Sequence, residues 1–266
     1  MITAYHRPKT LDEALTLLAK PNTLPLGGGT LLSQPTTDSV QAVDLQLLGL
    51  DSLTQKGNEL QLGATFTLQS LLESEHCPPA LKSALKLETP LNVRNSATVA
   101  GTLVSCDGRS TFVSALLAMD VKIEQAIYEN SKIEYRTTNI GDFLPLRSTN
   151  LITKIILPFN VKLAFEYVSR TPADKPIVCA ALAQWNSGRT RLALGGSGKS
   201  PMLAMDGDLP PSPAGRGTPE GRGEGLEAAA RNAFHESTDQ FASAEYRMDV
   251  AATLAKRCLE RMNSEG

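Results

Sequence analysis

The chain is 266 residues long, enough for two domains with cores of their own, and 41% hydrophobic against 20% charged residues is a globular composition. A formal net charge of −2 with signs mixed along the chain offers no basic face to nucleic acid or to an anionic membrane. No stretch approaches eighteen uninterrupted apolar residues, and Met1-Ile2-Thr3-Ala4-Tyr5 lacks the charged-then-apolar order of a secretory leader, so the expected location is the cytoplasm, without membrane insertion.

The first fifty residues read as a small α/β unit. Thr10 and Glu13 make a capping-box pair ahead of Leu11, Ala14, Leu15 and Leu18, which share one helical face. Leu24–Leu26 is a short strand running into three glycines, and Ala42–Leu45 is a second. After the turn at Lys56-Gly57-Asn58, alternation over Glu59–Gly63 predicts a strand, with helices near Leu68–Ser74 and Pro79–Leu87. A second glycine-bearing stretch precedes a helix at Phe112–Met119 and strands at Val121–Ile127 and Lys132–Arg136. The β-rich segment Leu151–Leu157 ends at Pro158. Beyond it Lys162–Ser169, Ile177–Trp185 and Arg189–Leu194 predict an antiparallel meander, with Asn186-Ser187-Gly188 as its last turn. From Gly207 to Gly225 the chain is rich in proline and glycine and too poor in apolar residues to order itself, which predicts a flexible insertion; helices follow near Leu226–His235 and Ser243–Met262.

Cys77, Cys106, Cys179 and Cys258 are far apart and form no Cys-x-x-Cys pair, and His6, His76 and His235 are isolated, so no metal site is expected. Cys258 falls on the stripe Tyr246, Val250, Leu254, Cys258, where a free cysteine acts as a small buried hydrophobe. Nothing pairs a nucleophile with a base, so no catalytic residue is assigned. Gly195-Gly196-Ser197-Gly198-Lys199-Ser200 imitates the end of a nucleoside-triphosphate phosphate loop. The full pattern needs glycine five positions before Gly198, where Ala193 stands, and a sustained helix afterwards, whereas Pro201–Met205 runs into Gly207 and Pro210. The segment is expected to be a loop leaving the third strand of the tail. A nucleotide hydrolase using Lys199 is the remote alternative.

Two stretches carry the chemistry: Leu26-Gly27-Gly28-Gly29-Thr30-Leu31-Leu32-Ser33 and Thr98-Val99-Ala100-Gly101-Thr102-Leu103-Val104-Ser105. Both place small residues and hydroxyls where main-chain N–H groups can face an anion with no side chain in the way. Together they predict one diphosphate-bearing cofactor held from two sides.

The segment from Pro90 through Val93-Arg94-Asn95 to Thr98-Val99-Ala100-Gly101-Thr102 resembles the "Val-Arg-Asn-x-x-Thr-Ile-Gly-Gly-Asn/Ser" of the FAD-binding subunits of molybdenum hydroxylases, such as the carbon monoxide dehydrogenase medium subunit and the xanthine dehydrogenase FAD-binding subunit. Leu26–Leu32 resembles the "Ala-Gly-Gly-Thr-Asp/Ser-Leu-Leu" of the same family, Leu62–Thr65 its "Ile-Gly-Ala", Ala115–Asp120 its "Ala-Leu-Leu-Ala-Leu-Asp" and Ala242–Arg247 its "Ala-Ser-x-x-Tyr-Arg". The likeness runs in order along nearly the whole chain, outside Gly207–Gly225.

The resemblance implies an α+β fold. Residues 1–158 would form a two-lobed FAD-binding domain of the vanillyl-alcohol-oxidase (PCMH) type, with lobes of about 1–53 and 54–158. Residues 159–266 would form a C-terminal domain with a three-stranded antiparallel sheet and helices, interrupted by the insertion at about 207–225. It also implies that FAD lies on Leu26 to Ser33, with Thr98, Gly101, Thr102, Ser105, Asp107 and Thr111 closing from the other lobe and Asp174 in the loop Arg170–Ile177 approaching the flavin ring. The chain would then be an electron-transfer subunit in a heterotrimer, or a dimer of heterotrimers, with an iron–sulfur small subunit and a molybdopterin-binding large subunit. NAD or another molecule would be the acceptor. Two positions depart from the family. Ala100 replaces the first glycine of its pair, at roughly 1–2 kcal/mol if that position has positive φ. Thr111 replaces an acid that would accept hydrogen bonds from FAD, a difference of roughly 1.5–3 kcal/mol, so Thr111→Asp is expected to tighten FAD. These departures motivate a second reading, a scaffold subunit of the same complex that has lost FAD.

Overall fold

The computed structural model describes residues 1–35, 37–129, 132–172, 174–209 and 219–264, and of 219–223 the backbone alone. In chain order the elements begin with β1 (Ile2–His6), α1 (Leu11–Leu18), β2 (Thr23–Leu26), β3 (Val40–Asp44), β4 (Leu53–Lys56), β5 (Glu59–Gly63), α2 (Leu68–Glu73), α3 (Pro79–Glu88), α4 (Leu91–Arg94), α5 (Val99–Ser105) and α6 (Thr111–Ala118). They continue with β6 (Lys122–Glu129), β7 (Lys132–Asn139), α7 (Ile140–Leu146), β8 (Leu151–Pro158), β9 (Val161–Val168), β10 (Val178–Trp185), β11 (Thr190–Gly195), β12 (Met202–Gly207), α8 (Pro219–Ala233) and α9 (Ala244–Ser264).

Two compact units result. The first is Met1–Glu75, Pro90–Ser105 and Val121–Leu157; the second is His76–Thr89, Cys106–Asp120 and Pro158–Gly266. Segments 76–89 and 106–120, assigned by sequence to the FAD-binding domain, therefore cluster with the tail. Burial explains why. Every residue of α6 is buried, so the helix must be enclosed, and it packs on α3, β10 and β11.

In the first unit β1, β3 and β2 form a parallel sheet in that order, and α1 provides the crossover that joins β1 to β2. The predicted capping box starts α1: Thr10 Oγ1 accepts the Glu13 N–H at 3.3 Å, and Glu13 Oε2 accepts the Lys9 N–H at 3.0 Å. Ala14 and Leu15 of α1 pack with Val43, Leu45, Ala126 and Leu151, which joins this sheet to the five-stranded sheet β4-β5-β8-β6-β7. Burying a side chain such as Leu15 contributes roughly 1.5–3 kcal/mol.

The second unit is built on an antiparallel sheet of order β12-β11-β10-β9. This corrects the expected three strands: Met202–Gly207 pairs with β11 and adds a fourth. The strand was illegible because its flanks, Gly198 to Pro201 and Gly207, read as continuous turn sequence. Gly207 thus ends a strand and α8 begins at Pro219, so the predicted insertion at 207–225 is structured at both ends; residues 210–218 lie outside the described residues. β10 is buried on both faces. Val178, Ala180 and Leu182 pack with Leu226, Ala230, Phe234, Leu254 and Cys258 of the helical tail, while Cys179 on the opposite face meets Ser114 of α6 at 3.5 Å.

Charge closes the far end of this sheet. Arg191 is buried, donates to the Leu117 carbonyl at the end of α6 at 3.1 Å, and pairs with Asp120 at 3.1 Å and Asp206 at 2.6 Å. Arg189 binds both oxygens of Asp206 at 2.8 Å and Asp120 at 2.9 Å. Hydrogen bonds from Arg189, reinforced by Arg191, hold the Asp206 carboxyl below its ordinary value of 3.8. A depressed folded-state pKa stabilises the fold above the unfolded value, and that contribution is lost as pH falls through the folded one. Urea midpoints should therefore fall as pH drops below about 3.8, and Asp206→Asn should flatten that dependence; an unchanged pH profile in the variant would show that Asp206 contributes nothing to acid sensitivity.

Candidate functional site

The two glycine stretches meet within the first unit. β2 ends at Leu26, and the chain passes through Gly27, Gly28 and Gly29 into a turn over Thr30–Ser33, closed by the Ser33 N–H donating to the Gly29 carbonyl at 3.0 Å. A methyl on Gly28 would lie 1.6 Å from the Ser96 carbonyl oxygen, so backbone approaches backbone here more closely than any side chain allows. Gly29 has φ +73°, the left-handed region that favours glycine. The Thr98 hydroxyl stands between the stretches: it accepts the Gly101 N–H at 3.0 Å, and methyls on Gly27 and Gly101 would lie 3.1 and 2.8 Å from it. The second stretch is itself seated by Val99 N–H on Phe66 O and Leu68 N–H on Ala97 O, both 2.9 Å. Ser105 Oγ donates back to the Gly101 carbonyl at 2.8 Å, and Thr102 is half-buried on the same helix.

These residues fit a diphosphate. Among the described residues no protein acceptor takes the N–H groups of Gly27, Gly28, Gly29 or Thr30, which stand half-buried in sequence, with the hydroxyls of Thr30 and Ser33 beside them and no carboxylate from Leu26 to Ser33. Successive unclaimed N–H groups on a bare backbone make an anion-binding concavity. The second stretch is helical rather than an open loop. That disposes of the strain expected at Ala100, which lies inside α5 and is absent from the positive-φ residues.

Asp107, Thr111 and Asp174 belong to the second unit. Asp107 is exposed, accepts the Arg109 N–H at 2.9 Å and faces Lys175 Nζ at 3.4 Å; Asp174 is exposed, and its N–H donates to the Thr171 carbonyl. Thr111 requires a correction. Its side chain is fully buried at the start of α6, and its hydroxyl donates to the Ala84 carbonyl at 2.7 Å and faces Glu88 Oε2 at 3.2 Å, so its proton is committed to packing within the protein. Glu88, which sequence reasoning passed over, is the buried acid here. Its Oε2 also accepts Ser110 Oγ at 2.8 Å and the Phe112 N–H at 2.9 Å, so a carboxylate from α3 caps α6.

The phosphate-loop mimic has another use. Gly195–Ser200 joins two strands, with no helix after it. The Gly108 N–H donates to the Gly198 carbonyl at 2.9 Å, the Gly196 N–H donates to the Gly108 carbonyl at 2.7 Å, and a methyl on Gly108 would lie 1.7 Å from the Ser197 carbonyl oxygen. Sequence reasoning also missed a cluster at the carboxyl ends of the parallel strands. There the buried Asp44 accepts from Tyr5 Oη and from the Gln46 N–H at 2.9 Å and pairs with Arg7 at 3.5 Å. Alternation in Ile2–His6 was the available signal. The four thiols are buried, and desolvation pushes Cys77 and Cys179 up to about 12, far from thiolate chemistry. Among the described residues no three His, Cys, Asp or Glu side chains group to hold a metal, and no helix is long and apolar enough to cross a membrane.

Because Thr111 touches a buried carboxylate, Thr111→Asp would set two acids against each other out of water. A loss of about 3 kcal/mol in urea-unfolding free energy at pH 7 is expected, a cost to the fold where sequence alone anticipated only tighter FAD. Equal or greater stability would show that the site adapts.

The family profile described as the FAD binding domain in molybdopterin dehydrogenase matches residues 1–160. "Uncharacterized protein YgfM" of Escherichia coli (strain K12) is 28% identical over 260 residues, 96% of this chain and 94% of that protein. Among solved structures, the reconstituted CO dehydrogenase from Oligotropha carboxidovorans superposes with a TM-score of 0.79 at 21% identity, covering 99% of this chain and 98% of that one. Quinoline 2-oxidoreductase from Pseudomonas putida 86 superposes with a TM-score of 0.75 at 19% identity, covering 97% and 95%. A match across more than half the chain, with both glycine stretches inside it, places this protein in the family of FAD-binding domains of molybdopterin dehydrogenases, with FAD as its cofactor.

Proposed function

We propose that this chain is the electron-transfer flavoprotein subunit of a molybdenum hydroxylase complex. In this reading it receives electrons from an iron–sulfur small subunit, serves a molybdopterin-binding large subunit that selects the substrate, and passes electrons to NAD or another acceptor in the cytoplasm. The observation that carries the reading is the line of N–H groups from Gly27 to Thr30, unclaimed among the described residues and held against Ser96–Thr98.

In this proposal the Gly27–Thr30 backbone binds the diphosphate, Thr30 and Ser33 add hydroxyl donors, and Thr98 holds the second stretch in place. Leu26, Leu31 and Leu32 flank that loop, and Gly101, Thr102 and Ser105 present the small surface of α5. Asp107 and Asp174 are proposed as further FAD contacts. Bound FAD supplies reversible redox chemistry, and the protein orients it and tunes it electrostatically. The ground for a FAD-free scaffold is weaker than sequence suggested, since Ala100 is unstrained and Thr111 serves the helix packing.

The purified protein should carry one FAD per chain, read by acid release and chromatography; FMN or no flavin would overturn the proposal. Gly28→Ala should abolish FAD retention, because its methyl would collide with the Ser96 backbone. Gly29→Ala, whose methyl would make only ordinary contact with the Leu26 side chain at 3.4 Å but at a positive φ, should cost roughly 1–2 kcal/mol of stability. Equal flavin content in wild type and Gly28→Ala would remove the loop from the site. Lys199→Ala should leave flavin content unchanged.

A further inference from the structure

Among the described residues four charged side chains are buried, and of these Asp44 alone lies in the first unit; Glu88, Arg191 and Arg247 belong to the second. A carboxylate taken out of water is costly unless its lone pairs are met, so a solitary one marks a place where the fold needs an acceptor. Asp44 closes β3, the middle strand of the parallel sheet, and three donors converge on it. Tyr5 Oη donates to Oδ2 from β1, and the Gln46 N–H donates to Oδ1 at 2.9 Å. Arg7, one residue past β1, faces Oδ2 through Nε at 3.5 Å and donates through a terminal nitrogen to Gln46 Oε1 at 3.3 Å. A carboxylate only accepts, so one side chain meets all three donors, which an amide of the same shape cannot do.

The remaining strand is reached through the backbone. Leu26, the last residue of β2, is the register partner of Asp44, and the Leu45 N–H donates to the Leu26 carbonyl at 3.0 Å. That N–H belongs to the peptide joining Asp44 to Leu45. By holding the Gln46 N–H on one side and Tyr5 and Arg7 on the other, the carboxylate also fixes the peptide to which β2 is tied. Gly27 follows at once, and with it the N–H groups that no acceptor among the described residues takes.

We propose that Asp44 is the positioning residue of the Gly27–Thr30 loop: it locks the carboxyl ends of β1, β3 and β2 into one corner, from which the loop leaves β2 with its N–H groups ordered for a diphosphate. The inference rests on the proposed reading of that loop as the diphosphate site. Arg7 balances the carboxylate, so the corner brings no uncompensated negative charge to the start of an anion-binding loop.

Asp44→Asn and Tyr5→Phe in the full-length protein test this. Tyr5 is more than half exposed, so phenylalanine removes the hydroxyl with little loss of packing, and asparagine keeps an acceptor for Gln46 but sets an amino group against the other donors. Two amides report the outcome: Leu45, bonded to the Leu26 carbonyl, reads the corner, and Ser33, bonded to the Gly29 carbonyl, reads the loop. Hydrogen exchange at both should quicken by about tenfold or more in each variant, with β10 unchanged. The Kd for FAD, read from the flavin fluorescence released on diluting the holoprotein, should rise by about tenfold. Asp206→Asn, which breaks a charge cluster of the second unit, controls for general loss of stability and should leave these readouts unchanged. Unchanged exchange at Ser33 would overturn the positioning role, as would FAD weakened equally in all three variants. Quickened exchange with an unmoved Kd would overturn the link to the diphosphate. A wild-type protein holding no flavin would instead overturn the electron-transfer reading, while exchange at Ser33 would still decide whether Asp44 fixes the loop.

Discussion

Backbone packed on backbone is the constraint on which the rest of this structure depends. In the first unit Gly28 lies against the Ser96 carbonyl, and in the second Gly108 lies against Ser197, each at a separation that excludes even a methyl group. Such contacts exclude water and fix the chain without side chains, and that is what a phosphate-binding backbone needs: N–H groups held rigid with nothing in front of them. The two places use the constraint differently. At Gly27–Thr30 no acceptor among the described residues takes the N–H groups, and at Gly108 the N–H and the carbonyl are both consumed in hydrogen bonds to Gly198 and Gly196.

The second unit adds buried charge to this scheme. Glu88 ends α3 and begins α6, Arg191 ends α6, and Arg247 shapes the turn before α9. Each sits where unpaired backbone groups of a helix terminus or a turn would otherwise be stranded away from water, so each charge meets peptide dipoles as well as a counter-ion. The consequence is specificity of arrangement. A neutral side chain of equal volume would leave several buried donors or acceptors unmet, and their desolvation outweighs what the substitution gains in apolar contact.

Much was determined by sequence alone, and where it was, the cause is local. The capping box at Thr10 and Glu13, the alternation in Glu59–Gly63, the turn at Asn186–Gly188 and the burial of Leu254 and Cys258 all follow from interactions spanning a few residues, and each occurs in the structure, whereas Tyr246 at the start of the same stripe is exposed. The family and its cofactor were legible because glycine and hydroxyl spacing along a chain survives any packing.

Only the tertiary structure decided what depended on distant partners. Met202–Gly207 becomes a strand because β11 offers it an edge, and β1 forms because β3 does. Ala100 is unstrained because its stretch folds as a helix, and the Thr111 hydroxyl serves helix packing because Ala84 and Glu88, more than twenty residues away, claim it. The run Gly195–Ser200 looks like a phosphate loop in sequence and serves as a socket for Gly108. Local sequence states which groups a segment can offer, and only the fold states whether protein or ligand takes them.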